Sequence, residues 1–209
     1  MAMKSYLRYE PSRSFGVISS PQCNISHDCS GNLVLSGAGS SILVWNVRKS
    51  LLVGRIDVKS ENYPYVLPGE VSIISCSPDQ HTAAIGYSTG AIRIIDYKKM
   101  CVLATFRGHR TRVMSLAYDT CSSGNSSSSS SSSGGMILAS GGGDNDIVIW
   151  DIVSLTAKFR LRGHKGPVTC LKFVYDASTT NNINSSTSSS GSGSRQSSYL
   201  LSGSTDTLL

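Results

Sequence analysis

Asp146-Ile147-Val148-Ile149-Trp150-Asp151 is the stretch that decides the fold, because it is a short apolar run that ends in Trp-Asp. Gly108-His109 precedes it, and Ser140-Gly141-Gly142-Gly143-Asp144 leads into it. Two earlier segments, Ser41–Asn46 and Ala91–Asp96, have the same form, and the first of them also keeps its Trp. Short β-branched runs bounded by Gly, Ser, Asn or Asp are typical of strands. The sequence therefore predicts an all-β fold made of repeated units.

The spacing of the repeats identifies the architecture. Trp45, Ile95 and Trp150 lie 50 and 55 residues apart, and removal of the 14 residues of a Ser-rich tract at 122–135 reduces the second interval to 41. A period of roughly 40 to 45 residues with Gly-His before Trp-Asp is that of a WD-repeat β-propeller, whose blades are four-stranded antiparallel sheets. Third runs such as Ile147-Val148-Ile149-Trp150 are apolar rather than alternating, as expected of strands covered on both faces by neighbouring blades.

A fourth repeat opens at Gly163-His164, but the sequence contains no third strand for it. We therefore predict an incomplete propeller of about three and a half blades. Residues 1–209 are taken as one partial N-terminal propeller domain with disordered Ser-rich inserts at 122–135 and 178–198. Ser, Gly and Asn offer these inserts too little apolar surface to pack.

Four side chains of the third repeat, His109, Ser140, Asp144 and Trp150, include the components of a nucleophilic triad. At these offsets in a WD repeat, however, they form a buried chain in which Asp accepts from His, which bridges to Ser and then to the indole N–H. Each such bond is worth about 1 kcal/mol, and an unpaired buried member costs about 1 to 3 kcal/mol. We interpret the set as structural and assign no catalytic residue. The fourth repeat offers the matching residues His164, Ser202 and Asp206.

The first two repeats keep less of this set. Ser36 and Trp45 remain in the first repeat, whereas Ile85, Thr89 and Ile95 occupy the Ser, Asp and Trp positions of the second. The second blade is therefore predicted to depend on packing alone.

The sequence predicts neither a cofactor nor a metal site. Residues 141–146 form a Gly-rich segment with no P-loop Lys after it and no Glu at the twelfth position of an EF-hand loop, which favours a tight turn. The six cysteines form no C-x-x-C pair and are predicted to be buried free thiols in a reducing compartment. No stretch of about 18 apolar residues indicates a membrane span, so an intracellular soluble protein is expected. A small-molecule substrate is not expected either.

Basic residues gather beside the Gly-His corners of a chain whose formal net charge is +6. Equivalent positions of adjacent blades lie on one rim, so these charges add into a patch that suits phosphate groups. No aromatic residues interleave with them, which argues against base stacking; solvated surface is the alternative interpretation. The candidate partner or phosphate contacts are Arg107, Arg110, Arg112, Arg160, Arg162 and Lys165.

Several segments outside the blade motifs give the chain a family resemblance. Tyr6-Leu7-Arg8-Tyr9, then Phe15-Gly16-Val17-Ile18, which is predicted to be a lone strand, and then Ala84-Ile85-Gly86-Tyr87 follow one another in order. Phe106-Arg107-Gly108-His109 and Leu161-Arg162-Gly163-His164 continue the series. In this order the segments resemble the N-terminal part of the WD repeat-containing protein three family of the small-subunit processome.

The resemblance implies a non-enzymatic scaffold subunit of the nucleus and nucleolus that acts in 18S rRNA maturation and ribosome biogenesis. Its implied partners are other WD-repeat processome proteins, small nucleolar RNA and pre-rRNA, and this chain would hold the first half of the first of two propellers. Asn46 in place of Asp, the degraded second repeat and the Ser-rich inserts depart from the family pattern. At the level of single blades the chain equally resembles peptide-binding adaptors of ubiquitin-ligase or signalling complexes, which stay the alternative.

Overall fold

The computed structural model describes residues 19–57, 69–79, 81–119, 136–175 and 198–207, and the regular structure in these ranges is β-strand. Blade 1 consists of β1 (Ser26–His27), β2 (Leu33–Ala38), β3 (Ser41–Asn46) and β4 (Leu51–Ile56). Blade 2 consists of β5 (Val71–Cys76), β6 (Thr82–Tyr87), β7 (Ala91–Asp96) and β8 (Cys101–Arg107). Blade 3 consists of β9 (Val113–Tyr118), β10 (Ile137–Gly142), β11 (Ile147–Asp151) and β12 (Thr156–Leu161). A half-blade pairs β13 (Val168–Tyr175) with β14 (Ser198–Ser204).

Each blade is an antiparallel meander in which consecutive strands are neighbours. The last residue of each third strand shapes the turn to the fourth. Asp96 Oδ1 accepts hydrogen bonds from the backbone N–H groups two and three residues later, and Asp151 does the same. Asn46 Oδ1 accepts from the N–H of Lys49 alone. The Asp of Trp-Asp is therefore a turn residue, and Asn in its place supports a similar turn with one fewer bond.

The core lies between blades. Three buried clusters join blade 1 to blade 2, blade 2 to blade 3 and blade 3 to the half-blade. At each interface a glycine near the end of a second strand meets a valine of the next first strand. A Cβ built on Gly37 would lie 2.8 Å from Val71 Cβ, and one on Gly86 would lie 2.8 Å from Val113 Cβ. Glycine at this position lets neighbouring blades approach closely.

The predicted incomplete WD-repeat propeller is confirmed, with three four-stranded antiparallel sheets and a further pair of strands. Residues 122–135 and the lone strand predicted at 15–18 lie outside the described residues, as does all but the last residue of the insert predicted at 178–198. Ser198 is the first residue of β14, so that insert ends earlier than predicted.

The prediction of buried thiols was wrong. The five described cysteines are free, as predicted, but Cys23, Cys76 and Cys101 are half-buried and Cys29 and Cys170 are exposed. Cys23 and Cys29 lie in the loops on either side of β1, and Cys76 and Cys101 lie at the ends of their strands. Cys121 lies outside the described residues.

Candidate functional site

Four polar side chains form a continuous hydrogen-bonded chain within blade 3. His109 Nδ1 lies 2.9 Å from Asp144 Oδ1, and His109 Nε2 lies 2.8 Å from Ser140 Oγ. Trp150 Nε1 donates to Ser140 Oγ at 2.7 Å. The loop before β9, the middle of β10, the turn after β10 and the end of β11 thus each contribute one member, which we call the blade 3 tetrad.

The protonation of Asp144 sets the direction of these bonds. Burial raises the pKa of Asp144, but the backbone N–H of Arg110, at 3.0 Å, and the His109 side chain outweigh it and hold the pKa below its ordinary value. An ionised Asp144 accepts from His109 Nδ1–H, and in the neutral imidazole Nε2 then accepts the Ser140 hydroxyl proton. Ser140 Oγ in turn accepts the indole N–H, so every member of the tetrad is satisfied.

The tetrad is not arranged for nucleophilic catalysis. Ser140 is 0% exposed, and its oxygen lies between the His109 imidazole and the Trp150 indole. A nucleophile must reach a substrate carbon, and this hydroxyl is covered on all sides. The arrangement instead ties the loop before β9 to strands β10 and β11.

The half-blade repeats three of the four members. His164 Nδ1 lies 3.1 Å from Asp206 Oδ2, and His164 Nε2 lies 2.8 Å from Ser202 Oγ. Asp206 Oδ2 also accepts from the N–H of Lys165 at 2.7 Å. This turn is therefore organised as in blade 3, with the indole missing from its described residues.

Blades 1 and 2 use other contacts. In blade 1, Trp45 Nε1 donates to Ser36 Oγ at 3.2 Å. In blade 2 the Arg93 guanidinium stacks over the ring of the buried Tyr87, with 4.9 Å between Cζ and the ring centroid. A stacked cation of this kind stabilises by about 0.5 to 2 kcal/mol, so blade 2 does not depend on packing alone. The signal in the sequence was an Arg inside an otherwise apolar strand.

The six cations of the predicted basic rim lie at one end of the blades. Arg107 ends β8, Arg112 directly precedes β9 and Arg160 lies near the end of β12. In an antiparallel sheet the start of β9 and the end of β12 are at the same end. The structure therefore places the segments 107–112 and 160–165 together, on the side of the tetrads.

Two of the six cations are occupied by contacts within the fold. Arg112 donates to the carbonyl oxygen of Gln22 at 2.7 Å and also to its side chain, which links blade 1 to blade 3. Arg160 donates to Asp146 Oδ2 at 2.8 Å and to the carbonyl of Gly108. These two side chains hold the rim in place.

The remaining four cations face solvent. Arg107, Arg110 and Lys165 are exposed, and their side chains have no ion-pair partner among the described residues. We call these three the open rim. Arg162 is largely exposed and reaches Asp146 only at 3.6 Å. The open rim is the part of the predicted contact set that is free to meet an anion.

Other kinds of site find no support in the described part of the chain. No group of three or more His, Cys, Asp or Glu side chains lies close enough there to hold a metal ion. No helix in the same ranges is long and apolar enough to cross a membrane.

The tetrad predicts a loss of stability in acid. The pKa of Asp144 is lowered in the fold, as are those of Asp28 and Asp79 through N–H and hydroxyl donors that outweigh burial. A lowered pKa contributes stability that is complete above the unfolded value of about 3.8 and is lost as the pH falls through the folded value. We expect a melting temperature nearly constant from pH 7 to pH 5 that falls steeply below about pH 4. Thermal melts by circular dichroism at these pH values measure it.

The matching control is Asp144→Asn, which removes one of the titrating groups. Its melting temperature should be lower at pH 7 and should fall less between pH 5 and pH 3 than that of the unmodified chain. Equal acid sensitivity in the two proteins would contradict the role assigned to Asp144.

Comparisons with known proteins agree with the propeller. The family described as the RIG first beta-propeller matches residues 63–134, about a third of the chain. Two solved structures, titled "Structure of U3-55K" and "Crystal structure of RRP9 WD40 repeats", each superpose with a TM-score of 0.59 at 23% identity, over 75% of this chain and 43% of theirs. This likeness concerns the fold.

Two curated relatives extend the likeness to sequence. The WD repeat-containing protein 3 homolog of Dictyostelium discoideum is 34% identical over 111 residues, 53% of this chain and 11% of its own length. The U3 small nucleolar RNA-associated protein 12 of Saccharomyces cerevisiae is 30% identical over 132 residues, 56% of this chain and 14% of its own length. The chain thus spans about a tenth to a seventh of these relatives. The chain has the fold of a WD-repeat β-propeller and is similar in sequence to parts of a WD repeat-containing protein 3 homolog and of a U3 small nucleolar RNA-associated protein.

Proposed function

We propose that the chain is a non-enzymatic scaffold element of the small-subunit processome, located in the nucleolus and acting in 18S rRNA maturation. The observation that carries the proposal is the sequence relationship to two proteins, one of which is named for its association with the U3 small nucleolar RNA. The absence of an accessible nucleophile in the tetrad fits a protein that presents a surface.

A propeller acts as a scaffold by holding surface residues in fixed positions. The tetrad fixes the loop before β9, and the Arg112 and Arg160 contacts fix its flanks. The outer strands and loops of such blades would bind other WD-repeat processome proteins. The open rim would bind phosphates of small nucleolar RNA or pre-rRNA, because ordered cations at one end of the blades raise the local potential.

The identity of the RNA and proteins that co-purify with the chain tests the proposal. The tagged chain is expressed in a eukaryotic cell, purified at moderate salt and analysed by RNA sequencing and mass spectrometry. Enrichment of U3 small nucleolar RNA, pre-rRNA and WD-repeat ribosome-biogenesis proteins is the expected result. Recovery of ubiquitin-ligase or signalling subunits without either RNA would favour a peptide-binding adaptor instead.

The open rim predicts a salt-dependent affinity for RNA. The triple variant Arg107→Glu, Arg110→Glu, Lys165→Glu should bind a labelled oligouridylate more weakly, and its slope of log K against log salt should be smaller by about 2, since each lost phosphate contact on a single strand removes about 0.7. Filter binding across a salt series measures both. Arg48→Glu, Lys49→Glu, Lys98→Glu is the matched control, because those side chains follow β3 and β7 at the opposite end of the blades. Equal losses in the two triple variants would contradict a specific role for the open rim.

A further inference from the structure

Blades 1 and 2 share a sequence pattern where the third strand turns into the fourth. Two exposed cations are followed by exposed aliphatic side chains, in Arg48-Lys49-Ser50-Leu51-Leu52-Val53 and again in Lys98-Lys99-Met100-Cys101-Val102-Leu103. Blade 3 has Val153-Ser154-Leu155-Thr156-Ala157-Lys158 at this place and still forms the same turn and strand. The fold therefore does not require the pattern, which indicates a role at the surface.

A β-bulge in each fourth strand presents one aliphatic side chain of this pattern. The pairing of the third strand with the fourth shifts by one residue, which leaves Val53 in blade 1 and Leu103 in blade 2 without an opposite residue. Val53 is 52% exposed and Leu103 is 51% exposed. Blade 3 has the same bulge, but its extra residue is Lys158. Two consecutive blades thus expose an aliphatic side chain at a place that a cation can fill.

The fourth strands of blades 1 and 2 belong to one surface. A Cβ built on Gly54 of β4 would lie 2.9 Å from Met100 Cε, so the Met100 side chain of blade 2 lies against the outer strand of blade 1. Met100 directly follows Lys98 and Lys99, so the basic turn of blade 2 lies beside β4. We call this surface the outer wall, and define it by Leu51, Val53, Leu103, Arg48, Lys49 and Lys98.

The position of blade 2 shows that the outer wall is not an uncovered blade interface. Buried clusters cover blade 2 on both of its faces, against blade 1 and against blade 3. Leu103 is nevertheless half exposed. Its exposure therefore belongs to the outside of the propeller, where a partner can reach it.

The charge of the outer wall selects the partner. Arg48, Lys49 and Lys98 are exposed and form no ion pair within the described ranges, while Lys99 lies 3.7 Å from Asp96 Oδ2. Carboxylates of a partner would therefore be attracted to the two turns. Aliphatic side chains offer no ring on which a base can stack, so the combination favours an acidic polypeptide with an apolar face over RNA.

We propose that the outer wall is a docking site for an acidic amphipathic helix of a partner protein. The apolar face of the helix packs on Val53 and Leu103, and its Asp or Glu side chains lie over the turns at 47–50 and 97–100. An added strand is disfavoured because a bulge interrupts the ladder of each outer strand and twists its edge. A helix instead presents apolar anchors at i, i+3, i+4 and i+7 to such a surface.

The outer wall would be one of the surfaces by which a scaffold holds another protein, and this role rests on the function proposed above. Docking of the helix itself involves neither RNA nor the open rim. Peptide binding and RNA binding are therefore measured separately, and one can fail without the other.

A designed peptide is the probe. It has 18 residues, with Leu at helical i, i+3, i+4 and i+7 spacing, Glu along one side of this stripe, Ala and Gln elsewhere, and a fluorescein label. Fluorescence polarisation should show saturable binding to the chain that weakens as salt is added. A peptide with Ser for Leu should bind at least about tenfold more weakly, as for the loss of central apolar anchors, and a peptide with Lys for Glu should not bind. Equal binding of the Glu and Lys peptides would overturn the proposal.

Variants at exposed positions of the fourth strands locate the site. Val53→Asp with Leu103→Asp should weaken binding of the Glu peptide about tenfold or more. Thr156→Asp with Ala157→Asp adds the same charge to exposed positions of β12 in blade 3 and should leave binding within about twofold, which is the scatter expected of surface changes outside a site. Unchanged binding by the first pair, or equal losses in the two pairs, would overturn the proposal.

The two triple variants of the RNA experiment provide a second, independent test. Arg48→Glu, Lys49→Glu, Lys98→Glu should lose the Glu peptide and keep oligouridylate, whereas Arg107→Glu, Arg110→Glu, Lys165→Glu should do the reverse. Loss of oligouridylate but not of the peptide in the first variant would assign the turns to RNA and overturn the proposal. Self-association of the chain that Val53→Asp with Leu103→Asp abolishes would assign the outer wall to a second copy and overturn the choice of partner.

Discussion

Replacement of Trp150 with Ala is expected to lower the free energy of unfolding by about 3–5 kcal/mol, the range for a large aromatic residue removed from a core. Trp150 is 3% exposed and packs against Phe106 and the backbone of Gly108. Its loss leaves a cavity between blades 2 and 3 and removes the N–H that the Ser140 hydroxyl accepts. Small domains have about 5–15 kcal/mol of stability in total, so the Ala variant should lie close to unfolding.

Replacement of Trp150 with Phe separates the two contributions. Phe keeps much of the packing but has no N–H, so its cost should be about 1–3 kcal/mol, that of a buried acceptor left unsatisfied. Urea unfolding followed by circular dichroism gives both values. Val153→Ala, at a turn position exposed to solvent, is the control and should change stability by less than about 0.5 kcal/mol. A Phe variant as stable as the unmodified chain would show that the tetrad contributes nothing beyond packing.

The elements of the blades were predictable because each depends on local sequence. The third strands are short, mostly apolar runs, and β3 and β7 begin and end at the residues that the sequence pattern predicts. The tetrad was predictable from spacing, since the register of β10 on β11 brings Ser140 and Trp150 together once the blade forms. Where strand pairing alone determines a contact, the sequence pattern is sufficient to predict that contact.

Contacts between loops of different blades were not predictable. The basic corners suggested a uniform rim of cations, but Arg112 reaches Gln22, 90 residues away, and Arg160 reaches the Gly108 carbonyl, 52 residues away. Such contacts depend on how blades are rotated about the propeller axis, which no local pattern encodes. The rim is therefore divided into structural and open cations in a way that only the tertiary structure reveals.

Replacement of the glycine near the end of a second strand by Ala is the other change expected to alter the free energy of unfolding strongly. A Cβ on Gly141 would lie 2.6 Å from Val168 Cγ1 and closer still to Ser115 Oγ, both in first strands that cannot move without opening an interface. Gly141→Ala should therefore cost about 2–3 kcal/mol, at the upper end of the range for overpacking. Gly86→Ala should cost a similar amount, because its Cβ would meet Val113.

The half-blade supplies a matched control for this effect, because Gly203 has the same place in β14 but no blade beyond it in the described structure. A Cβ there would lie 3.7 Å from Cys170 Cβ, an ordinary contact. Gly203→Ala should therefore stabilise the chain by about 0.5 kcal/mol, since Ala loses less backbone entropy than Gly on folding into a strand. Urea unfolding of the three variants measures the difference, and similar shifts for Gly141→Ala and Gly203→Ala would contradict the close approach of blades.

Adding Val168→Ala to Gly141→Ala removes the methyl group that the new Cβ meets, so the pair should cost less than the sum of its single changes. Only a direct clash between adjacent blades predicts opposite signs for two glycines in equivalent strands together with this rescue.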